Sequence, residues 1–365
     1  MTDAEVIRID ARMRDMGRIR CRATTTTGRP CRNYALEGGD YCAVHERARG
    51  RGPAQPGRGR DAAQPGRGND AAQQGHGHGT AQPASVMPEP EGTTDVLEWF
   101  KRRLSGEYEV DDFGLDEELL RDVIGPLIRP LYERWFRVQT LGLTRIPVRG
   151  PALLVANHSG TIPLDSVIMT YAVANEHPAR RLVRNVGADL VYRLPFVGPL
   201  ARKSGTVVAH EDDALELLRR GELVGVFPEG FKGVGKGWRE RYRLQRFGRG
   251  GFIELALRAR VPIVPVAIVG AEEAYPMIGN IKPLASLLGL PYFPVTPTWP
   301  LLGPLGLVPL PSRWIIEFGE PVAMDDYPDD AAEDPMLVFD LTDEIRDRIQ
   351  QMLFKNLSAR GGTFF

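Results

Sequence analysis

The 365-residue chain carries 46 Lys and Arg against 47 Asp and Glu, with 42% hydrophobic and 25% charged residues. That balance excludes a wholly disordered chain, a collagen-like repeat and a protein that coats nucleic acid along its whole surface. The three cysteines, Cys21, Cys31 and Cys42, all lie near the start, and an odd count with none in the bulk argues against an extracellular disulfide framework.

Residues 1–47 are Arg-rich and hold the pattern Cys21-x9-Cys31-x10-Cys42-x2-His45. Three thiolates and an imidazole form a tetrahedral set suited to structural zinc, so this module reads as a small Cys3His zinc knuckle. The stretch that follows Met1 is polar, with no apolar core of a signal peptide. Residues 48–92 contain a decaying nine-residue repeat, AQPGRGRDA, AQPGRGNDA and AQQGHGHGT, starting at Ala54, Ala63 and Ala72. A segment so poor in apolar residues cannot offset its chain entropy, and the expectation is a disordered tether.

Residues 93–140 form an amphipathic helical segment. Asp95–Leu104 follows a Thr pair able to cap a helix, and Leu115–Leu141 has apolar residues at three- and four-residue spacing, broken near Pro126 and Pro130. These helices either cover a core or lie at a lipid interface.

From 141 to 357, short apolar runs alternate with helical patterns. Ala152–Ala156, Thr206–Ala209, Leu223–Phe227, Ile263–Val269 and Trp314–Phe318 read as buried strands. Pro163–Ala174, Asp212–Arg220 and Gly251–Arg260 read as helices, and Asp330–Leu357 as a closing amphipathic helical region. Strand–helix alternation predicts an α/β fold, a layered sheet flanked by helices.

Chemistry concentrates at two strand ends. NHSGTIPLD, Asn157–Asp165, follows the strand ALLVA. His158 there can take a proton from a hydroxyl if a carboxylate fixes its tautomer, and Asp165 is the only acid before Glu176. FPEG, Phe227–Gly230, ends the strand LVGVF, and VPIVPV begins at Val261.

In this order and spacing, the three blocks resemble the glycerolipid acyltransferase family, which includes the lysophosphatidic acid acyltransferases. The resemblance spans roughly residues 130–320 and implies transfer of a fatty acyl group from a thioester donor, acyl-CoA or acyl carrier protein, to a hydroxyl of a glycerol-based lipid. It implies His158 as base, Asp165 as its orienting partner, and Phe227, Pro228, Glu229 and Gly230 as acceptor-binding residues. Six residues separate His158 from Asp165 where the family has four, and Phe231-Lys232 stands where the family has Thr-Arg. Arg202 and Lys203 are offered nearby, outside the expected frame. Such departures leave neutral or bulkier lipids open as acceptors.

GFKGVGKG, Gly230–Gly237, falls one residue short of a phosphate-binding P-loop and places Gly237 where Mg²⁺ needs Ser or Thr. Lys232 and Lys236 in this loop are instead expected to bind substrate, extended by Arg239, Arg241, Arg243, Arg246 and Arg249. Pro283–Ser312 has no charge and eight prolines; it lines an acyl tunnel, dips into an interface or packs in the core. No run of about 20 residues reads as a spanning helix. The expected enzyme is cytoplasmic and peripheral to the inner face of the membrane, with membrane lipids as partners and no strong case for nucleic acid. The alternative is a catalytically silent lipid- or protein-binding adaptor carrying the knuckle.

Overall fold

The computed structural model describes Ser85–Val86, residues 96–106 and residues 108–364. Cys21, Cys31, Cys42, His45 and most of the expected tether lie outside the described residues.

Helix α1 (Val96–Ser105) is followed by Asp116, which caps the next helical run by accepting a hydrogen bond from the Leu119 N–H at 2.9 Å. That run, α2 (117–135), was expected to break at its prolines and does not. It alternates α segments with wider turns at Leu120–Ile124 and Leu131–Trp135. The missing proline N–H groups are absorbed by these π-type turns, an arrangement that keeps a helix continuous at a local cost. Leu120, Tyr132 and Phe136 are buried, so α2 covers the core. The last part of the expected helix is instead a strand, β1 (Gln139–Leu141), which pairs with a strand near the end of the chain.

Next come β2 (Ala152–Ala156), α3 (Leu164–Glu176) and β3 (Val183–Gly187). Helices α4 (Asp189–Arg193) and α5 (Val197–Lys203) precede β4 (Val207–Val208), followed by α6 (Glu211–Arg219), β5 (Leu223–Val226) and the short α7 (Phe231–Val234). Helix α8 (Gly251–Ala259) leads into β6 (Ile263–Val269) and α9 (Ala271–Ala274). A two-stranded ribbon, β7 (Gly279–Asn280) with β8 (Pro294–Val295), encloses α10 (Lys282–Leu287). Strand β9 (Ile315–Phe318) and the long α11 (Pro335–Ala359) close the chain.

The main sheet has the order β1-β9-β6-β2-β5-β3-β4. Strands β6, β2, β5, β3 and β4 run parallel, whereas β9 is antiparallel to β6 and carries β1 with it. Side chains alternate across it as a pleated strand requires. Leu153 and Val155 of β2 face one core with α6, α8 and α11, and Ala152, Leu154 and Ala156 face the other with α3 and the end of α2. The α/β layered sheet is thus observed.

Strand β3 had no counterpart in the sequence reading, because its centre is Arg184-Asn185. Both are buried. Arg184 donates to the Gly205 carbonyl at 3.0 Å and pairs with Asp111, and Asn185 donates to Thr170 Oγ1 at 2.8 Å. These bonds offset part of the cost of burying two polar side chains inside a sheet, although Arg184 Nη2 and Asn185 Oδ1 have no hydrogen-bond partner among the described residues.

Ser85, placed by the sequence in the tether, donates from its N–H and hydroxyl to the buried carboxylate of Glu222 at 2.5–3.1 Å, and Val86 bridges Arg181. A chain beginning at residue 93 is therefore expected to be less stable than one beginning at residue 84 by about 1–3 kcal/mol, the typical cost of an orphaned buried acceptor. Urea unfolding of the two truncations checks this, and equal midpoints would contradict it.

Candidate active site

Parallel strands β2, β5 and β6 end side by side, and open α/β sheets bind ligands at such carboxyl edges, where chain connections diverge to either side. Here β5 enters on one side of β2 and β6 on the other. Asn157 locks the end of β2 to β6: its side chain donates to the Ile268 carbonyl at 3.0 Å and accepts from the Ile268 N–H at 2.7 Å. His158 follows directly.

The two extra residues between His158 and Asp165 are folded into a tight, mostly buried loop. Gly160 has φ +76°, and a Cβ there would lie 2.4 Å from the Ala271 carbonyl oxygen, so only glycine fits. Helix α3 begins at Leu164, one residue after the proline expected to start it. Asp165 then sits in its first turn, fully buried. Its Oδ2 lies 2.7 Å from His158 Nδ1 and accepts from the Ser159 N–H at 2.8 Å; its Oδ1 accepts from the Ser166 N–H at 2.9 Å. With Nδ1 held by a carboxylate, Nε2 is the ring nitrogen left to accept a proton. The His158 side chain is 15% exposed, and Phe227 packs against its ring with centroids 4.7 Å apart.

The FPEG segment turns inward. Glu229 Oε1 accepts from the His158 backbone N–H at 2.9 Å, and Oε2 accepts from the Gln245 N–H at 2.7 Å. Lys236, expected to face substrate, is buried instead. Its ammonium lies 3.2 Å from Glu229 and 3.0 Å from Glu272, because two enclosed carboxylates leave it nowhere better to go. Gly233 makes this possible: a Cβ there would stand 2.6 Å from the His158 carbonyl oxygen. Of the other predicted residues, Pro228 is half-buried while Gly230 and Lys232 are exposed. Arg202 stacks over Tyr192, and Lys203 contacts Tyr108 and Asp116. The arginines at 239, 241, 243, 246 and 249 are all exposed, with Tyr242, Leu244 and Phe247 between them buried.

Sequence reasoning missed Glu272 and Glu273. Glu272 accepts from the Tyr242 N–H at 3.0 Å, and Glu273 pairs with Arg360 at 2.8 Å while accepting from the Tyr242 hydroxyl. The available signal was two adjacent acids just beyond a fully apolar strand, where a solvated face was not to be expected. Burial pushes the Glu272 carboxyl up to about 7 against the pull of Lys236. Burial also lowers the Lys236 ammonium, but its two carboxylates outweigh that and hold it above its ordinary range.

Because Glu272 binds its proton more tightly folded than unfolded, its contribution favours folding at low pH. That contribution fades as pH rises from about 4.5 toward about 7. Glu272→Gln is expected to flatten this part of the stability–pH curve, as thermal melts across the window would reveal; an unchanged slope would contradict it. Among the described residues, no group of three or more His, Cys, Asp or Glu is placed to hold a metal ion. The residues lining a narrow cleft beside the dyad include Gly160, Gly233, Lys236, Trp238, Arg241 and Glu272.

The family model described as Acyltransferase matches residues 137–269, the span that holds the dyad, FPEG and the three central strands. An uncharacterized protein of Mycobacterium tuberculosis is 52% identical over 270 residues, covering 74% of this chain and 75% of that protein. A Mycobacterium leprae protein is 51% identical over the same length, covering 74% of each. The DGAT1/2-independent enzyme synthesizing storage lipids of Bos taurus is 25% identical over 228 residues, 62% of each chain. Among solved structures, the 1-acyl-sn-glycerophosphate acyltransferase PlsC of Thermotoga maritima aligns over 68% of this chain and 85% of its own, with 19% identity and a TM-score of 0.43. The chain thus belongs to one family with these mycobacterial proteins, and its match to the Acyltransferase family model spans the His158–Asp165 dyad and the FPEG loop.

Proposed function

We propose that the chain is an O-acyltransferase that moves a fatty acyl group from an acyl thioester, acyl-CoA or acyl carrier protein, to a hydroxyl of a glycerol-based lipid. The observation that carries the reading is the buried Asp165 carboxylate 2.7 Å from Nδ1 of a partly exposed His158. His158 Nε2 accepts the proton of the acceptor hydroxyl as its oxygen attacks the thioester carbonyl. The tetrahedral intermediate collapses, the C–S bond breaks, and the thiolate recovers that proton from His158. Asp165 stabilises the imidazolium that exists between the two transfers. Glu229 and Lys236 act through position: Glu229 fixes the backbone of His158, and Lys236 fixes Glu229.

Phe227, Pro228, Gly230 and Lys232 border the acceptor, and Lys232 with Arg239 and Arg241 supplies positive charge for an anionic donor or head group. The bovine relative is named for synthesizing storage lipids, and with Phe231-Lys232 replacing Thr-Arg this supports a neutral glycerolipid among the acceptors. The enzyme acts from the cytoplasmic side as a peripheral protein; no described helix is long and apolar enough to cross a membrane. Incubating purified protein with acyl-CoA and a pool of lysolipids, mono- and diacylglycerols, followed by lipid mass spectrometry, tests the assignment. A new ester in the pool supports it, and an unchanged pool in active donor preparations contradicts it.

Ahead of this enzyme, we propose a zinc ion held by Cys21, Cys31, Cys42 and His45. Elemental analysis is expected to find about one zinc per chain, lost on replacing Cys31 and Cys42, because metal binding supplies the folding energy of so small a module. Zinc-free native protein would contradict it.

A further inference from the structure

The residues between β6 and β9 form an insert whose place is fixed by the active-site loops. Trp238 donates from its backbone N–H to the Met277 carbonyl at 2.8 Å and the Tyr292 hydroxyl donates to the Thr161 carbonyl at 2.8 Å, while inside the insert the Tyr275 hydroxyl donates to the Leu307 carbonyl at 2.6 Å. Its own backbone is internally bonded, with the Ile278 and Ile281 N–H groups donating to Val295 and Phe293 at 2.9 Å. Yet its leucines point out: Leu287, Leu301 and Leu305 are 81%, 84% and 71% exposed. A folded insert that leaves large apolar side chains in water has a second medium to meet.

The parallel topology puts further apolar residues at the same edge. The segment after β3 ends in Phe196, 89% exposed and held at φ +64°, a backbone state that bulky residues rarely adopt. Its next exposed neighbours are Val197 and Leu200, and Phe231 stands exposed after β5. Since β2, β3, β5 and β6 all point the same way, the segments that carry these side chains leave the sheet at the edge where His158 stands. Of the exposed charges beside them, Lys232, Arg239, Arg241 and Lys282 are positive and Glu240 is negative, a cationic balance, while Pro283–Ser312 carries none. Apolar residues ringed by cations match a bilayer interface with anionic head groups.

We propose that this carboxyl edge of the sheet is the membrane-docking surface. The insert leucines and Phe196 enter the interface of an anionic bilayer, the four cations meet lipid phosphates, and the His158 cleft opens onto the lipid. The inference deepens the acyltransferase reading by naming where the lipid comes from, but docking itself needs no chemistry.

The test is flotation of the full chain, without donor, on vesicles of phosphatidylcholine with or without phosphatidylglycerol. The wild type is expected to float with anionic vesicles and to be released by salt. Leu301→Asp with Leu305→Asp is expected to lower the apparent affinity at least about tenfold, and Phe196→Ser to lower it independently, with circular dichroism unchanged. Turnover of a water-soluble short-chain donor and acceptor should survive both changes. Wild type that does not float, or variants that float equally, would overturn the proposal. A dimer by light scattering that the leucine variant dissolves would assign the surface to a second copy of this chain instead. A chain that floats but forms no lipid product would sink the enzymatic reading and leave docking intact.

Discussion

His158→Ala is expected to lower turnover about 10²–10⁴-fold while the protein stays folded, since a lipid hydroxyl is a poor nucleophile near neutral pH without a positioned base. The ring makes one charged contact, to Asp165, and packs against Phe227, so its loss opens little space. Asp165→Asn should fall in the same direction through a different atom. Asp165 Oδ2 accepts from both His158 Nδ1 and the Ser159 N–H. An amide there presents either an N–H₂ to two donors or an oxygen whose partner nitrogen then faces the Ser166 N–H. The first orientation costs the imidazole its tautomer, and both cost it the anionic partner for its positive charge. Steady-state rates at saturating donor and acceptor check both variants, and near-native turnover by His158→Ala would end the mechanism.

Glu229→Ala is expected to cost about 3–5 kcal/mol of stability, the scale of breaking a buried ion pair. It leaves the backbone N–H groups of His158 and Gln245 without their acceptor and leaves Lys236 with one carboxylate, Glu272, beside the Arg243 carbonyl. Turnover of the protein that remains folded should drop at least about tenfold, because the base then sits on a loosened loop and small misplacements are costly in catalysis. Glu229→Gln keeps one carbonyl oxygen and should lie between. The split between constants separates this from direct substrate contact. A positioning role lowers the melting temperature and kcat together, whereas an acceptor ligand would raise KM and leave stability alone.

The pairing of His158 with Asp165 was legible because both signals are local. A histidine directly after a buried apolar run must emerge at a strand end, and one acid within reach leaves one candidate. Gly160 accommodates the longer spacing, since its left-handed backbone brings the loop against Ala271. The burial of Lys236 was not legible for a complementary reason. A lysine in a glycine-rich loop reads as exposed, and the carboxylate that draws it inward, Glu272, lies 36 residues further along the chain, past two more elements of structure. The same limit hid β3, where Arg184 and Asn185 are acceptable only because Asp111, Gly205 and Thr170 arrive from elsewhere in the fold. Helix α2 failed in the opposite sense: proline was given its usual meaning, and widened turns absorbed it.

The central claim is that acyl groups pass directly from a thioester to a lipid hydroxyl with His158 as base. Thiol release from acyl-CoA, measured with and without a glycerolipid acceptor, tests it most directly. The account predicts release only with acceptor, one thiol per ester formed, and loss of both in His158→Ala. A stoichiometric burst of thiol without acceptor, or no acceptor-dependent release from any glycerolipid offered, would contradict it.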